Sequence, residues 1–560
     1  MAAIGSVLAA WYGPGPSARA ENRCVVATVQ PLASDAAIAT FEKGGNAIDA
    51  AVAAALTLGV VDNHNSGLGG GCFVLLRLAD GRLVAIDGRE MAPAAATRDM
   101  YLHNGQVVPE RSTIGPLAVG VPGALAAYAL VLEKYGRRKL DELLLPAARI
   151  AERGFAIDRR YAANLAKTAG SIRQFEATRA ILLKPDGTPY QEGEILKQPD
   201  LARSYRQIAR QGTGWFYHGP FAQAVGQWMA RHGGILTAED FAHYTARQRV
   251  PIETTYRGYT VVGFPPPSSG GVHVAQILNI LENYNLRALH AKDPVAASHL
   301  VIEAMKRAFA DRAYWLGDAD YVDVPRGLID KQYAVQQAHT IDPARASKVP
   351  AHGTPPRGTS DLFGNRHTTH IAAADSAGNW VAITATVNTS FGSCVIVPGT
   401  GIVLNNEMDD FSSQPGTPNV FGLVGAENNA IAPGKRPLSS MSPTMVLRDG
   451  QPVLTVGAAG GPKIITQVVL TLLRTLDYGQ SLSEAIAGPR FHHQWLPDLV
   501  SVEQGMPAKW VHGMRQRGHR IELVDQAGVT QAVGLEGGRL VGVHDPRVPG
   551  KVASGVRPDP

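Results

Sequence analysis

A hairpin pattern in the second half of the chain begins directly after the segment Thr368-Thr369-His370. Alternating apolar residues over 371–375, a turn rich in small polar residues, and a second alternating run over 380–387 predict two antiparallel strands. If the peptide bond between His367 and Thr368 were cut, Thr368 would carry a hydroxyl and a free α-amine on one residue. An α-amine has a reference pKa of about 7.7–8.0, so it can serve as the base for that hydroxyl. The chain therefore contains a candidate N-terminal nucleophile far from its own N-terminus.

Short motifs before and after this hairpin form an ordered set along the chain. They lie at residues 44–51, 66–71, 87–93, 265–271, 404–411, 437–444, 460–461 and 490–495. Together with the Thr368 segment, the set resembles the γ-glutamyltranspeptidase family of N-terminal-nucleophile hydrolases. The resemblance runs in order, without large gaps, from about residue 24 to the last tens of residues. It implies a precursor that cleaves itself between His367 and Thr368.

Strand patterns occur in two runs that are flanked by helical patterns, which indicates an α+β layered body. An alanine-rich helix is predicted over residues 47–59 and a strand hairpin over 72–87. The resemblance implies the four-layer αββα sandwich of N-terminal-nucleophile hydrolases, in which two chains from one precursor share a single core. The expected segments are 1–20 as a leader remnant or disordered start, 21–367 as the large subunit and 368–560 as the small subunit.

Residues 318–364 contain more proline and polar residues than their surroundings and little sustained periodicity. We interpret them as a linker that leads to the cleavage point. Residues 2–11 are apolar and residues 18–20 read Ala-Arg-Ala, as at a leader cleavage site, but no basic region precedes them. Because many bacterial members of the family are exported, the resemblance favours a periplasmic or secreted protein.

Composition and spacing exclude several classes of function. The net charge of +5 is small for 560 residues and no run of five Lys or Arg occurs, so a nucleic-acid surface is not expected. No apolar run reaches the ~18 residues of a membrane span. The three cysteines, Cys24, Cys72 and Cys394, are far apart and are interpreted as buried thiols. His492 and His493 are adjacent and would point to opposite sides of an extended segment, which disfavours a metal site. We expect no metal and no cofactor.

The resemblance assigns the reaction itself to a small group of residues. Thr368 is the nucleophile, and its attack on the His367 carbonyl would perform the self-cleavage. Thr386, at the far end of the returning strand, would support the nucleophile. Gly460 and Gly461 precede a predicted helix, where small residues let backbone N–H groups approach and stabilise an oxyanion.

Arg89 follows a predicted strand and is the candidate for binding a substrate carboxylate through a charge-assisted, bidentate pair. Its alternative is a salt bridge to Glu90 or to another neighbouring residue. By resemblance, the hydroxyls of Ser439 and Ser440 bind the same carboxylate; otherwise the two serines are only part of a turn.

Asn388, Glu407 and Asp410 are expected to surround an ammonium group. Two carboxylates that lie close together in a partly dry pocket need a cation or a proton between them, and an α-ammonium would supply one. With the arginine, this acidic cluster would form a receptor for a zwitterionic amino-acid head.

Two departures from the family pattern affect the expected function. Ala458-Ala459 stand where Ser-Pro is usual, and Phe421, in the lid expected over residues 415–436, stands where tyrosine is typical. The favoured function is a γ-glutamyl transferase and hydrolase with glutathione as donor and water or an amine as acceptor. The alternative is a cephalosporin acylase that removes glutaryl or aminoadipyl side chains. An uncompensated acidic cluster would cost about 1–3 kcal/mol with a glutaryl group, which argues against a glutaryl specialist. A third hypothesis is a binding protein that is never cleaved. Donor preference, acceptor, the ratio of hydrolysis to transfer and the oligomeric state stay open.

Overall fold

The computed structural model describes residues 22–357 and 369–557. The strands, in chain order, are β1 (Asn22–Thr28), β2 (Gly71–Arg77), β3 (Leu83–Gly88), β4 (Leu102–His103), β5 (Gln106–Val107), β6 (Phe155–Ala156), β7 (Ile195–Leu196), β8 (Arg247–Arg249), β9 (Ile252–Tyr256), β10 (Tyr259–Gly263), β11 (Thr369–Asp375), β12 (Trp380–Thr386), β13 (Thr444–Arg448), β14 (Gln451–Ala459), β15 (Phe491–His492), β16 (Val500–Glu503), β17 (Ile521–Val524), β18 (Val529–Glu536), β19 (Arg539–Val543) and β20 (Lys551–Arg557).

The α-helices are α1 (Pro31–Glu42), α2 (Ala47–Val61), α3 (Pro109–Thr113), α4 (Ala124–Tyr135), α5 (Leu140–Arg153), α6 (Arg159–Ile172), α7 (Glu176–Leu182), α8 (Pro199–Gln211), α9 (Gly214–Tyr217), α10 (Pro220–Arg231), α11 (Ala238–Ala242), α12 (Ser269–Leu281), α13 (Leu286–Lys292), α14 (Pro294–Trp315), α15 (Lys331–His339), α16 (Lys463–Leu472), α17 (Leu482–Ala487) and α18 (Ala508–Gln516). A short 3₁₀ turn at Glu407–Asp410 carries two of the expected site residues.

Two antiparallel sheets form the centre of the molecule. The first has seven strands in the order β20-β1-β11-β12-β2-β3-β8, and the second has six in the order β19-β18-β14-β13-β10-β9. The hairpin of β11 and β12 confirms the sequence prediction, with Thr369 opposite Ala385. This hairpin is inserted between β1 and β2, so segments from both sides of the His367–Thr368 bond pair within one sheet.

Helices cover the outer face of each sheet. On the seven-stranded sheet lie α1, α2 and α4, and on the six-stranded sheet lie α12 and α16, with α14 packed on α12. The facing sheets bury an apolar layer in which the rings of Phe73 and Phe264 stack with centroids 4.1 Å apart. The layers therefore follow the order αββα, which confirms the expected fold class, and the chain segments before and after Thr368 share one core.

Helix α2 shows how the sequence produces this packing. The Asn46 side chain accepts from the backbone N–H of Asp49, and the Asp49 carboxylate accepts from the Asn46 N–H, which forms a capping box. Every residue of α2 is buried, because alanine side chains are small enough for α1 and α5 to pack closely against the helix. The predicted helix is thus confirmed, two residues longer at its C-terminal end.

The predicted linker contains a helix that the sequence did not reveal. Within its described part, 318–357, Asp330 caps α15 by accepting from the backbone N–H groups of Gln332 and Tyr333. Nine residues give too few turns for a clear helical period, which is why the pattern resembled a linker. The expected leader segment 1–20 and the cleavage point His367–Thr368 lie outside the described residues. In the described part of the chain, no helix has both the length and the apolar content of a membrane span.

Candidate active site

The turn from β14 into α16 is built on two glycines. Gly460 has φ of +130° and Gly461 has φ of +62°, conformations that disfavour other residues. A Cβ on Gly461 would lie 2.9 Å from the Phe421 ring, and one on Gly460 would lie 3.0 Å from the Cα of Gly528. The turn therefore requires glycine at both positions. It also brings backbone N–H groups and the N-terminus of α16 to one place, an arrangement that favours a developing negative charge.

The end of β12 lies one residue beyond the Thr369–Ala385 pair. There Thr386 is buried, and its hydroxyl accepts from the backbone N–H of Asn388 at 2.7 Å. Asn388 has φ of +76°, and its side-chain amide donates to the Asn406 carbonyl at 2.9 Å. Its Oδ1 atom has no hydrogen-bond partner among the described residues, so this acceptor is available to a donor group of a substrate.

Arg89 is fully buried and is surrounded by carboxylates. It donates to Glu407, to Asp410 Oδ2 at 2.7 Å and to Glu90 Oε2 at 3.3 Å. Burial alone lowers the pKa of Arg89, but the three carboxylates reverse this and raise it above its ordinary value. Burial also raises the pKa of Glu90 and of Glu407, which favours a proton on one of the two carboxyl groups. One such proton and the guanidinium together offset two of the three negative charges.

This geometry changes part of the sequence-based expectation. Arg89 was predicted to bind a substrate carboxylate, and Glu407 and Asp410 to surround an ammonium group, yet both carboxylates pair with the guanidinium itself. The reason is electrostatic, because buried opposite charges a few ångströms apart pair with each other when no ligand separates them. Arg89 thus serves both acidic residues with a single positive charge. A substrate carboxylate that replaced them on Arg89 would leave them in need of another cation.

Ser439 and Ser440 are both buried beside the start of α12. The Ser439 carbonyl accepts from the backbone N–H of Ser269 at 2.9 Å, which fixes the serine turn against the first residue of α12. The Ser439 hydroxyl accepts from the Met441 N–H at 3.3 Å. The Ser440 hydroxyl has no hydrogen-bond partner among the described residues. Of the two hydroxyls, that of Ser440 is the one available to bind a carboxylate.

The segment expected to act as a lid closes over this cluster. Asn419 Nδ2 donates to Asp410 Oδ1 at 3.3 Å, and the Val420 N–H donates to Asp409 Oδ2 at 3.1 Å. The Phe421 carbonyl accepts from Gln494 Nε2 at 3.2 Å, while its ring lies against Gly461. The lid thus connects the acidic cluster to the glycine turn.

A cavity of about 520 Å³ opens beside the lid. Of the expected site residues, Asn388, Phe421, Gly460 and Gly461 line it, whereas Arg89 and the residues around it lie buried behind the lid. The remaining lining residues are Asn65, Thr113, Ile114, Arg160, Lys167, Thr168, Ser171, Thr389, Ser390, Gly392, Cys394, Val420 and Ala459.

Asp62 is a buried residue that the sequence reasoning missed. Its carboxylate accepts from the Thr369 hydroxyl at 3.0 Å and from Asn65 Nδ2 at 2.8 Å. Burial raises the pKa of Asp62 to about 6, although nearby Arg160 counteracts the rise. The polar run over residues 62–66, directly after a largely apolar helix, is a signal that could have identified it.

Arg312 was also missed. It is buried on α14, and its Nε donates to the Ser269 hydroxyl at 3.2 Å. Burial lowers the pKa of Arg312 to about 9, which the charge of Asp410 partly opposes. The side chain therefore adds positive charge near the serine turn.

A second cluster of potential metal ligands lies away from this site, but its contacts disfavour a metal ion. His299, Glu303 and His519 offer ligand atoms within 4.8 Å of one another. However, His299 Nδ1 and His519 Nε2 are hydrogen-bonded to each other at 2.8 Å, and Lys306 and Arg307 both pair with Glu303. Two cations on the carboxylate disfavour a third positive charge there.

Comparisons with known proteins agree with the fold. The family model described as gamma-glutamyltranspeptidase matches residues 33–555. The glutathione hydrolase proenzyme of Escherichia coli K12 is 43% identical over 528 residues, which cover 93% of this chain and 90% of that protein. The acylase ACY 1 proenzyme of Pseudomonas sp. SE83 is 38% identical over 511 residues, covering 89% and 87%. A crystal structure of cephalosporin acylase from Bacillus halodurans superposes with a TM-score of 0.85 at 30% identity and covers 98% of this chain and 99% of that one.

The αββα layers, the glycine turn and these similarities define an N-terminal-nucleophile hydrolase. Within that class, the chain belongs to the γ-glutamyltranspeptidase family.

Proposed function

We propose that the protein is a self-cleaving γ-glutamyl transferase and hydrolase that acts on glutathione and similar γ-glutamyl amides. The observation that carries the proposal is the connection of two sites by the lid. The buried charge cluster around Arg89 suits an amino-acid head, and the Gly460-Gly461 turn suits the reacting carbonyl.

The reaction requires a nucleophile, a base and an oxyanion site. In the proposed mechanism, Thr368 Oγ attacks the γ-carbonyl carbon while its α-amine accepts the hydroxyl proton. Backbone N–H groups at Gly460 and Gly461 stabilise the oxyanion, and Thr386 supports the nucleophile. Collapse of the tetrahedral intermediate breaks the amide bond, and the amine's proton passes to the leaving nitrogen. Water or an amine then attacks the Thr368 ester by the same steps in reverse.

Recognition of the glutamyl head would occur by exchange of partners. The α-carboxylate replaces Glu407 and Asp410 on Arg89, and the two released carboxylates then face the α-ammonium. The free Ser440 hydroxyl donates to the incoming carboxylate, and Asn388 Oδ1 accepts from the ammonium. Each buried charge keeps a partner throughout, which avoids a large desolvation cost.

A cephalosporin acylase is the second candidate. The Ala458-Ala459 and Phe421 departures alter the wall and the lid of the site. An aminoadipyl side chain carries the ammonium that Glu407 and Asp410 need once its carboxylate replaces them on Arg89, whereas a glutaryl side chain does not. The greater identity to the glutathione hydrolase relative favours the γ-glutamyl assignment.

Processing and location complete the proposal. Cleavage before Thr368 gives a large subunit, 21–367, and a small subunit, 368–560, that stay together through the shared sheet, and the mature protein is exported to the periplasm. N-terminal sequencing of both chains from a periplasmic fraction tests this assignment. A small chain that begins elsewhere than Thr368 would contradict it.

Incubation with glutathione tests the activity. Wild-type protein is expected to release glutamate and cysteinylglycine, while Thr368→Ala stays a single chain and releases neither. If the mature two-chain protein leaves glutathione intact but removes the side chain of a glutaryl cephalosporin, the acylase assignment replaces this one.

A further inference from the structure

Helix α6 forms one wall of the cavity. Its lining residues are Arg160, Lys167, Thr168 and Ser171, whose spacing places them along a single face of the helix. The Gly460-Gly461 turn also lines this cavity. The substrate's glutamyl head would point from the reacting carbonyl toward the charge cluster behind the lid. The part of the substrate on the other side of that carbonyl therefore enters the space bounded by α6.

The charge of this wall has one sign. Among the described residues that line the cavity, two are cations and none is acidic. Arg160 is half-buried, and Asp62 lies near enough for the guanidinium to lower the pKa of its carboxyl. Lys167 is exposed, and in the described part of the chain no carboxylate lies within ion-pair distance of it. Of the two cations in this wall, Lys167 is therefore the one whose charge is not used by another described residue of the protein.

We propose that this α6 wall is a subsite for the free carboxylate of the leaving group and of the amine acceptor. The inference rests on the proposed function and names its substrate class, which is γ-glutamyl peptides and acceptors that end in an α-carboxylate. Lys167 supplies charge and the Ser171 hydroxyl supplies a hydrogen-bond donor, whereas the Thr168 hydroxyl already donates to the Asn164 carbonyl at 2.8 Å. Arg160 contributes more weakly, because it also compensates Asp62.

The experiment compares two donors that share the glutamyl head. The leaving group of glutathione is a peptide with a free carboxylate, whereas the leaving group of γ-glutamyl-p-nitroanilide is an amine without one. The measured quantity is the ratio of kcat/KM for glutathione to kcat/KM for the anilide. Lys167→Gln is expected to lower this ratio about two- to fivefold, the effect of one partly exposed ion pair. Lys167→Glu should lower it further, and added salt should reduce the difference between wild type and variants.

Arg159→Gln is the matched control. Arg159 is exposed and lies on the same helix, but it does not line the cavity. Its substitution removes the same charge from α6 and should leave the ratio at the wild-type value.

An unchanged ratio in both Lys167 variants would overturn the proposal, and so would an equal loss for the two donors, which indicates a structural role. Wild-type activity separates this failure from failure of the proposed function. If wild-type protein turns over neither donor, the γ-glutamyl assignment and this subsite fall together.

Discussion

The Thr369 hydroxyl donates a hydrogen bond to the Asp62 carboxylate at 3.0 Å, and both side chains are buried. Thr369 is the neighbour of Thr368, and Asp62 follows the last residue of α2. Helix α2 thereby holds the first described residue of β11. We expect this contact to position the nucleophile next to it, both for self-cleavage and for catalysis.

Thr369→Val removes the donor and leaves the shape of the side chain nearly unchanged. It is expected to lower the rate of self-cleavage and kcat by about tenfold each, which is the effect of losing a buried hydrogen bond to a charged group. Cleavage is followed as the appearance of two chains on a denaturing gel. Thr369→Ser keeps the hydroxyl and should retain most of both rates; a Val variant that matches the Ser variant would contradict the role.

Asp62 should give a characteristic dependence of stability on pH. Its pKa is raised from 3.8 to about 6, so between these values the folded state holds a proton that the unfolded state has released. The contribution of Asp62 to the free energy of unfolding therefore falls as the pH rises from about 4 to 6. The total change is about 3 kcal/mol.

The measurement uses the Thr368→Ala background, where a single chain unfolds. The stability difference between Asp62 and Asp62→Asn proteins should decrease over this pH window and be constant above about pH 7. A difference that increases with pH would show that the pKa is lowered and not raised.

The electrostatic pairing at Arg89 can be tested by removing its charge alone and together with the charge of one paired carboxylate. Arg89→Gln leaves buried carboxylates without their cation and should lower the free energy of unfolding by about 3–5 kcal/mol. The double variant Arg89→Gln/Glu407→Gln removes one of those carboxylates and should recover part of the stability, while kcat/KM for a γ-glutamyl donor stays low. Equal stability of the single and double variants would contradict the electrostatic coupling of the pair.

Asn419 organises the lid. Its side chain donates to Asp410 and accepts from the backbone N–H groups of Phe421 and Leu423, both at 3.1 Å. Asn419→Ala should therefore loosen the lid and raise KM about three- to tenfold, the effect of roughly one lost hydrogen bond. Phe421→Tyr, which keeps the ring against Gly461, is the control and should leave KM within about twofold. A KM for Asn419→Ala equal to that of wild type would contradict the role of the lid.

Local patterns made part of this structure predictable. A turn of small polar residues between two apolar runs marked the β11–β12 hairpin, the cap and alanines marked α2, and paired glycines marked the turn before α16. Helix α15 was missed because it is short and its apolar face is narrow. The sequence could not show that Arg89 binds Glu407 and Asp410. These residues are more than 300 positions from Arg89, and only the folded chain brings them together and buries them.

The site could be predicted only in part for the same reason. Asp62 and Thr369 are 307 residues apart, and neither belongs to a motif that specifies the other. The cationic face of α6 depends on which side of the helix meets the cavity, and periodicity alone does not identify that neighbour. Tertiary packing, which the one-dimensional pattern does not contain, determines both features.

The measurement that tests the central claim most directly compares initial rates of p-nitroaniline release from γ-glutamyl and glutaryl anilides, with and without glycylglycine. The account predicts faster turnover of the γ-glutamyl anilide, accelerated by the dipeptide, because the exchange at Arg89, Glu407 and Asp410 requires an α-ammonium and an α-carboxylate together. Equal or faster turnover of the glutaryl anilide would contradict it and would establish the acylase assignment.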